Sequence, residues 1–312
     1  MLRVFSPSFM SSITTNAPDI AAIAPRAGLA RMYWQLTKAR LSALVLLTTA
    51  IGFILGSPAA TGIDWACLAW TVLGTALAAG SASSFNQLLE VPLDARMHRT
   101  RSRPLPSGTM SPTHGLIAAF AMGVAGVMVL LAMVSALAAG LALATIVIYV
   151  LVYTPLKVRS TLNTYVGAVC GAIPPMIGWA AASGSLDRGA WVLAAILFIW
   201  QIPHFLALAW LYRADYERGG FMMLPVIDRD GKLTCRVVVL TAALLLPLGL
   251  LVAMLRIAGP MYAVGSLALG LWMIALCLRL FFERSHANAR AVFLASIAYL
   301  PLLMCLMVID RG

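Results

Sequence analysis

The chain has 312 residues, 62% of them hydrophobic and only 11% charged, with a formal net charge of +11. Soluble domains run nearer about 45–50% apolar and about 25% charged, so the composition is that of a membrane protein. Intrinsic disorder, a collagen-like repeat and a small disulfide scaffold are excluded. A membrane β-barrel is excluded as well, because the apolar runs are continuous where barrel strands would alternate.

Residues 1–40 read as an N-terminal cytoplasmic tail that carries Ser and Thr and no acid before Asp19. The alternative, an organelle-targeting segment, is the weaker reading. Residues 41–312 read as one all-α domain. A helix needs about 20 residues to cross a bilayer core of roughly 30 Å. Uncharged or nearly uncharged stretches of that order cover 41–57, 65–85, 115–134, 136–153, 165–183, 190–212, 237–255, 260–278 and 291–309. The third and fourth come from one long run, divided between residues 135 and 140. Nine spans are predicted, packed as a bundle around an intramembrane cavity.

The positive charge is explained by topology. Nineteen Lys and Arg lie in the N-terminal segment and the alternate loops on its side, against Arg188, Arg256 and Arg311 on the other. The positive-inside rule then puts the N terminus in the cytoplasm and the C terminus outside. A nucleic-acid partner is not needed, and the lipid bilayer is the surrounding partner. Cys67, Cys170, Cys235, Cys277 and Cys305 have no Cys-x-x-Cys spacing and read as small buried apolar residues, not as a disulfide framework or a zinc site.

Chemistry is expected where ionisable groups crowd the ends of spans. After the second span come Asn86, Glu90 and Asp94, spaced by four, so that on a helix they drift only about 40° per step and share a face. Two carboxylates and an amide oxygen suit magnesium, which completes its shell with waters and substrate phosphates. Pro92 should bend or break this helix near Leu88. Four arginines follow within eight positions, Arg96, Arg99, Arg101 and Arg103, and their planar groups match phosphate oxygens. Spacing alone leaves two readings open: a metal-bridged diphosphate site, or a solvated loop with acidic counter-charges. Further polar clusters on the same side favour the site. One is Tyr153-Thr-Pro-Leu-Lys157-Val-Arg159 with Asn163, and another is Asp215-Tyr216-Glu217-Arg218. Polar clusters at one face of an apolar bundle describe a pocket for an amphiphile.

These motifs resemble the intramembrane prenyltransferases of the UbiA type. The resemblance rests on Asn86-x3-Glu90-x3-Asp94, on Met97-His98-Arg99-Thr100-x2-Arg103-Pro104-Leu105, and on Tyr153-Thr-Pro-Leu-Lys157 with Asn163. Gly167-Ala and Gly171-Ala-Ile-Pro174-Pro175 add to it. Trp200-Gln201-Ile-Pro203-His204-Phe205 and Asp215-Tyr216-x2-Gly219-Gly220 are similar to the heme-modifying branch. Two positions depart from the superfamily pattern, Gln87 and Glu90, where Asp is usual. The resemblance covers residues 40–231 well and the last two spans only by hydrophobicity.

The resemblance implies transfer of a farnesyl group from farnesyl diphosphate to a vinyl group of heme B, making heme O for terminal-oxidase biogenesis. It further implies Mg2+ held by Asn86, Glu90 and Asp94, with Asp215 as a second metal position. Arg99, Arg103, Lys157 and Arg159 would meet the diphosphate, with Tyr153 and Asn163 beside them. His204, alone in an apolar span, is expected either to pack against a neighbour or to contact the heme, and His98 is a weaker candidate. A heme A synthase receiving the product would be a partner. The location implied is a bacterial plasma membrane, with the mitochondrial inner membrane as the alternative. A prenyltransferase for a quinone precursor is the competing enzyme. A secondary transporter is the competitor from another class, but no internal repeat or mid-span charge points to it.

Overall fold

The computed structural model describes residues 28–58 and 62–311, and residues 1–27 of the expected tail lie outside them. Within the described residues nine helices are long and apolar enough to cross a membrane, and there is no sheet. Before the first of them comes a short helix that the sequence reading assigned to the tail, α1 (Leu29–Leu36). The spans on the N-terminal side are α2 (Ala39–Gly56), α3 (Trp65–Asp94), α4 (Pro112–Met133) and α5 (Ala136–Leu156). The middle pair are α6 (Asn163–Ser183) and α7 (Arg188–Leu211). After two short helices, α8 (Arg213–Arg218) and α9 (Leu224–Ile227), the last spans are α10 (Lys232–Met254), α11 (Pro260–Phe282) and α12 (His286–Ile309).

The division of the long apolar run falls at Ser135, whose hydroxyl caps α5 by accepting from the Ala138 N–H at 3.2 Å. The second span differs from expectation. It does not stop at Phe85 or break at Pro92, and continues to Asp94. Pro92 lies in the final turn, so it removes only the bond to the Leu88 carbonyl, at a helix end where such bonds lapse anyway. Pro174, Pro175 and Pro203 likewise lie inside unbroken helices. Neighbouring helices make such prolines tolerable in a membrane.

Helices α6 and α7 are the most buried spans and form the centre of the bundle. Helix α6 packs against α2, while α7 packs against α10 and α12. Phe120, Leu151, Val264 and Phe282 are exposed on the outer faces, as lipid-facing side chains must be. At the end away from the polar loops, Arg311 donates to the Ser57 carbonyl, tying the segment after α12 to the end of α2.

The α2–α6 contact is backbone against backbone. A Cβ at Gly178 would lie 1.9 Å from the Thr49 carbonyl oxygen and 2.7 Å from the Phe53 nitrogen. Neither is a flexible side chain, so the helices themselves would have to separate. Gly178→Ala is therefore expected to cost about 1–3 kcal/mol or more and to lower the melting temperature in detergent. Gly140→Ala, with nothing within 4 Å of its Cβ, is the matched control. Equal melting temperatures for the two variants would refute the tight contact.

Candidate active site

Asn86, Glu90 and Asp94 stand on one face of the last turns of α3, and all three are buried. Each meets a cation. The Lys157 Nζ donates to Glu90 Oε1 at 2.7 Å, Arg103 Nη1 donates to Asp94 Oδ2 at 2.6 Å, and Lys38 Nζ donates to Asn86 Oδ1 at 2.5 Å. The Asn86 amide also donates to Thr154 Oγ1 at 3.0 Å. Buried carboxylates survive only when their charge is matched. Here Lys157 and Arg103 do the matching, and Lys38, from a third chain segment, bonds the neutral amide oxygen of Asn86.

Lys38 was not singled out from the sequence, where it counted only as a topology charge. It sits at the junction of α1 and α2 with φ at 50°, a left-handed conformation that a non-glycine residue adopts at a cost of about 1–3 kcal/mol. The turn aims its side chain inward. Burial lowers its pKa to about 7, helped by Arg103 and Lys157 and opposed by Glu90 and Asp94. Lys157 goes the other way: burial pulls it down, the Glu90 carboxylate outweighs that, and it lies above the usual lysine value.

The cations and carboxylates line the polar end of a cavity of about 700 Å³, within the range of pockets that hold small molecules. Glu90, Asp94, Arg99, Arg103, Tyr153, Lys157, Asn163 and His204 all reach it, as do Lys38, Tyr149 and Phe221, which the sequence did not flag. The two tyrosines, four residues apart, come side by side with ring centroids 4.9 Å apart, in a stretch of α5 that passes through a π-helical turn at Ile148–Tyr153. Pro155 just beyond it has no N–H for the preceding turn. The Thr154 hydroxyl supplies one hydrogen bond there, donating to the Tyr149 carbonyl at 2.8 Å.

The loops at this end are tied together by their own polar groups. The Asn163 amide donates to the Ser160 carbonyl at 2.6 Å and to the Met222 carbonyl at 2.9 Å, and Met222 N–H returns to the Lys157 carbonyl at 2.7 Å. Asn163 thus holds Lys157 and Phe221 in place. Gln87, where the superfamily usually has Asp, donates to the Gln35 and Leu36 carbonyls and so caps α1.

Three site residues expected from the sequence do not line the cavity, and one of them is Asn86, fully buried with its oxygen taken by Lys38 and its amide by Thr154. Arg159 is exposed and outside the cavity lining. Two residues after Lys157, the chain is already turning to solvent before α6. Asp215 is buried, but its oxygens accept from the His98 N–H at 3.3 Å and the Arg99 N–H at 3.1 Å, and it pairs with Arg218. Burial raises its pKa, yet Arg218 and the two amides outweigh that and leave it below the usual carboxylate value. It anchors the arginine loop, and the geometry does not bring it to the Glu90–Asp94 face. Arg99 and Arg103 both reach the cavity, though from a series of turns and not from a helix. The Arg99 guanidinium lies over the rings of Tyr212 and Tyr216, 5.5 and 5.9 Å from their centroids.

Among the described residues no three His, Cys, Asp or Glu side chains form a cage for a metal. The donor set of Asn86, Glu90 and Asp94 nevertheless suits magnesium. It is all oxygen and contains two carboxylates, leaving most of the shell to waters and phosphate.

A bundle of membrane helices with carboxylates, arginines and lysines gathered at one end of an apolar cavity is the architecture of an enzyme for phosphorylated lipids. Residues 45–300 match the UbiA prenyltransferase family, and the chain belongs to that family. It is 43% identical to protoheme IX farnesyltransferase of Solibacter usitatus, over 90% of this chain and 99% of that one. It is 41% identical to the mitochondrial protoheme IX farnesyltransferase of Arabidopsis thaliana, over 95% of this chain and 70% of that one. Among solved structures, a digeranylgeranylglyceryl phosphate synthase superposes with a TM-score of 0.76 at 15% identity, covering 90% of this chain and 98% of the other. A UbiA homologue from Archaeoglobus fulgidus bound to DMAPP and Mg2+ superposes at 0.65 and 14%, covering 88% and 99%. These two likenesses are of fold.

Proposed function

We propose that this membrane enzyme transfers the farnesyl group of farnesyl diphosphate to a vinyl group of heme B, producing heme O. The carrying observation is that one cavity is lined both by the cations and carboxylates and by aromatic side chains with His204. The identity to protoheme IX farnesyltransferases, above 40% over nine-tenths of the chain, supports the choice of substrates.

Asn86, Glu90 and Asp94 would hold Mg2+, which when bound supplies Lewis-acid stabilisation of the negative charge on a departing diphosphate. Arg103, Lys157, Lys38 and Arg99 orient that diphosphate and offset its charge. Departure of diphosphate leaves an allylic cation at the farnesyl C1, and the rings of Tyr149 and Tyr153, both on the cavity wall, would shield it. Apolar walls keep water away until the terminal vinyl carbon has attacked. The resulting cation on the heme side chain takes up water, loses a proton and carries a hydroxyl.

The excess of Lys and Arg at the cavity's polar end supports a cytoplasmic N terminus, with diphosphate entering from the cytoplasm of a bacterial cell through its plasma membrane face. A heme A synthase is the enzyme that would take the product. The test is chromatography of hemes extracted from membranes of a host lacking its own heme O activity, with and without this protein. A new heme more hydrophobic than heme B is expected. A heme profile unchanged by a well-expressed, folded protein would overturn the proposal.

A further inference from the structure

His204 is held more tightly than a ring that merely fills space. Its imidazole is sandwiched, stacked on Trp200 with centroids 5.0 Å apart and on Phe293 with centroids 5.1 Å apart. Its edge is fixed by a single hydrogen bond of 2.8 Å between Nδ1 and the Ser296 hydroxyl. Ser296 lies on α12, fully buried, and its own carbonyl accepts from the Trp200 indole at 2.9 Å. Three side chains thus lock α7 to α12 around one imidazole. Among the described residues Nε2 has no protein partner, and the residue lines the cavity.

The Ser296 hydroxyl also lies 2.7 Å from the Phe293 carbonyl oxygen. A hydroxyl has one proton. If it were given to Nδ1, two oxygens would face each other at 2.7 Å with no hydrogen between them. If it goes to the Phe293 carbonyl, the hydroxyl accepts from Nδ1–H and both contacts are satisfied. The second arrangement puts the His204 proton on Nδ1 and the lone pair on Nε2, the tautomer that binds a metal through Nε2.

We propose that Ser296 is a positioning residue that holds His204 with its Nε2 lone pair free toward the cavity, for coordination of the iron of the tetrapyrrole acceptor. This rests on the reading that the acceptor is a heme. In the step itself the Nε2 lone pair forms a bond to iron, the Nδ1 proton stays in place, and no electron is transferred. Partners behind a ligating histidine orient the ring and raise its basicity, and their loss typically costs about 10–100-fold in metal affinity.

The experiment is titration of the purified full-length protein with ferric heme B, followed by its absorption band, for wild type, His204→Ala, Ser296→Ala and Ser296→Thr. Ser296→Ala is expected to weaken heme binding at least tenfold and shift the band, with Ser296→Thr restoring both through its hydroxyl. His204→Ala should lose the histidine-ligated band, which added imidazole restores. If His204→Ala matches wild type, the heme-contact reading of His204 fails and the proposal with it. If His204→Ala loses the band while Ser296→Ala titrates like wild type, only the role of Ser296 is overturned. A Ser296→Thr protein as weak as Ser296→Ala, with an unchanged melting temperature, also counts against the hydroxyl.

Discussion

Glu90→Gln or Asp94→Asn is expected to lower farnesyl transfer by about 10²- to 10³-fold, the range seen when one preorganised charge-stabilising group is removed from an active site. Each change keeps the side chain's size and removes a carboxylate from the row proposed to hold magnesium. There is a stability cost to separate from the catalytic one. With Glu90 neutral, Lys157 keeps a charge in a site where the two side chains are only 12% and 5% exposed. Breaking a buried pair from one side costs about 3–5 kcal/mol. The double variant Glu90→Gln with Lys157→Met removes both charges and should regain most of the melting temperature while staying inactive. Activity returning together with stability would make Glu90 a counter-charge. Wild-type turnover and magnesium dependence in the single variants would overturn the metal role altogether.

The second large effect is expected at Arg103. One guanidinium nitrogen holds Asp94 at 2.6 Å while the side chain, 20% exposed, remains on the cavity wall. Its other donors are then free for phosphate oxygens. A lysine at this position has the charge but one compact ammonium, which cannot hold the carboxylate and reach the diphosphate in the same planar geometry. Loss of one charge-assisted hydrogen bond is worth about 1.5–3 kcal/mol, so Arg103→Lys should lower kcat/KM by about 10- to 100-fold. Arg99→Lys should be milder. Arg99 is exposed and steadied by two tyrosine rings, and losing that stacking costs about 0.5–1 kcal/mol, a few-fold in rate. Steady-state kinetics on both variants check the order Arg103 before Arg99. Near-normal kinetics in both would reduce these arginines to topology signals.

Some features of the site were legible as spacing. Asn86, Glu90 and Asp94 share a face because four-residue steps on a helix nearly repeat, and that held even though Pro92 suggested a break. Tyr153, Lys157, Asn163 and His204, from separate motifs, line one cavity. Arg159 and Asp215 show the limit of this kind of reading. They belong to the same polar segments as true cavity residues, but adjacency in a loop says nothing about direction. One turned outward, and the other was taken up by the backbone amides of His98 and Arg99.

The sequence by itself determined the solvent of this protein, and with it the number of spans, though not where each one ends. Solvent and number follow from the cost of placing charges and unpaired backbone in lipid, a local property that each stretch of about 20 residues carries alone. Tertiary structure alone decided which cation faces which carboxylate. Arg103 and Lys157 come from distant segments, and their pairing with Asp94 and Glu90 exists only once α3 and α5 have packed and buried those acids, while Lys38, from the turn before α2, meets the Asn86 amide oxygen. It likewise decided the setting of His204. Ser296 lies 92 residues away, and no period in either helix marks the pair. Only the packing of α7 on α12 brings Ser296, which nothing in the sequence marked, to the His204 that the sequence had singled out, and orients the imidazole.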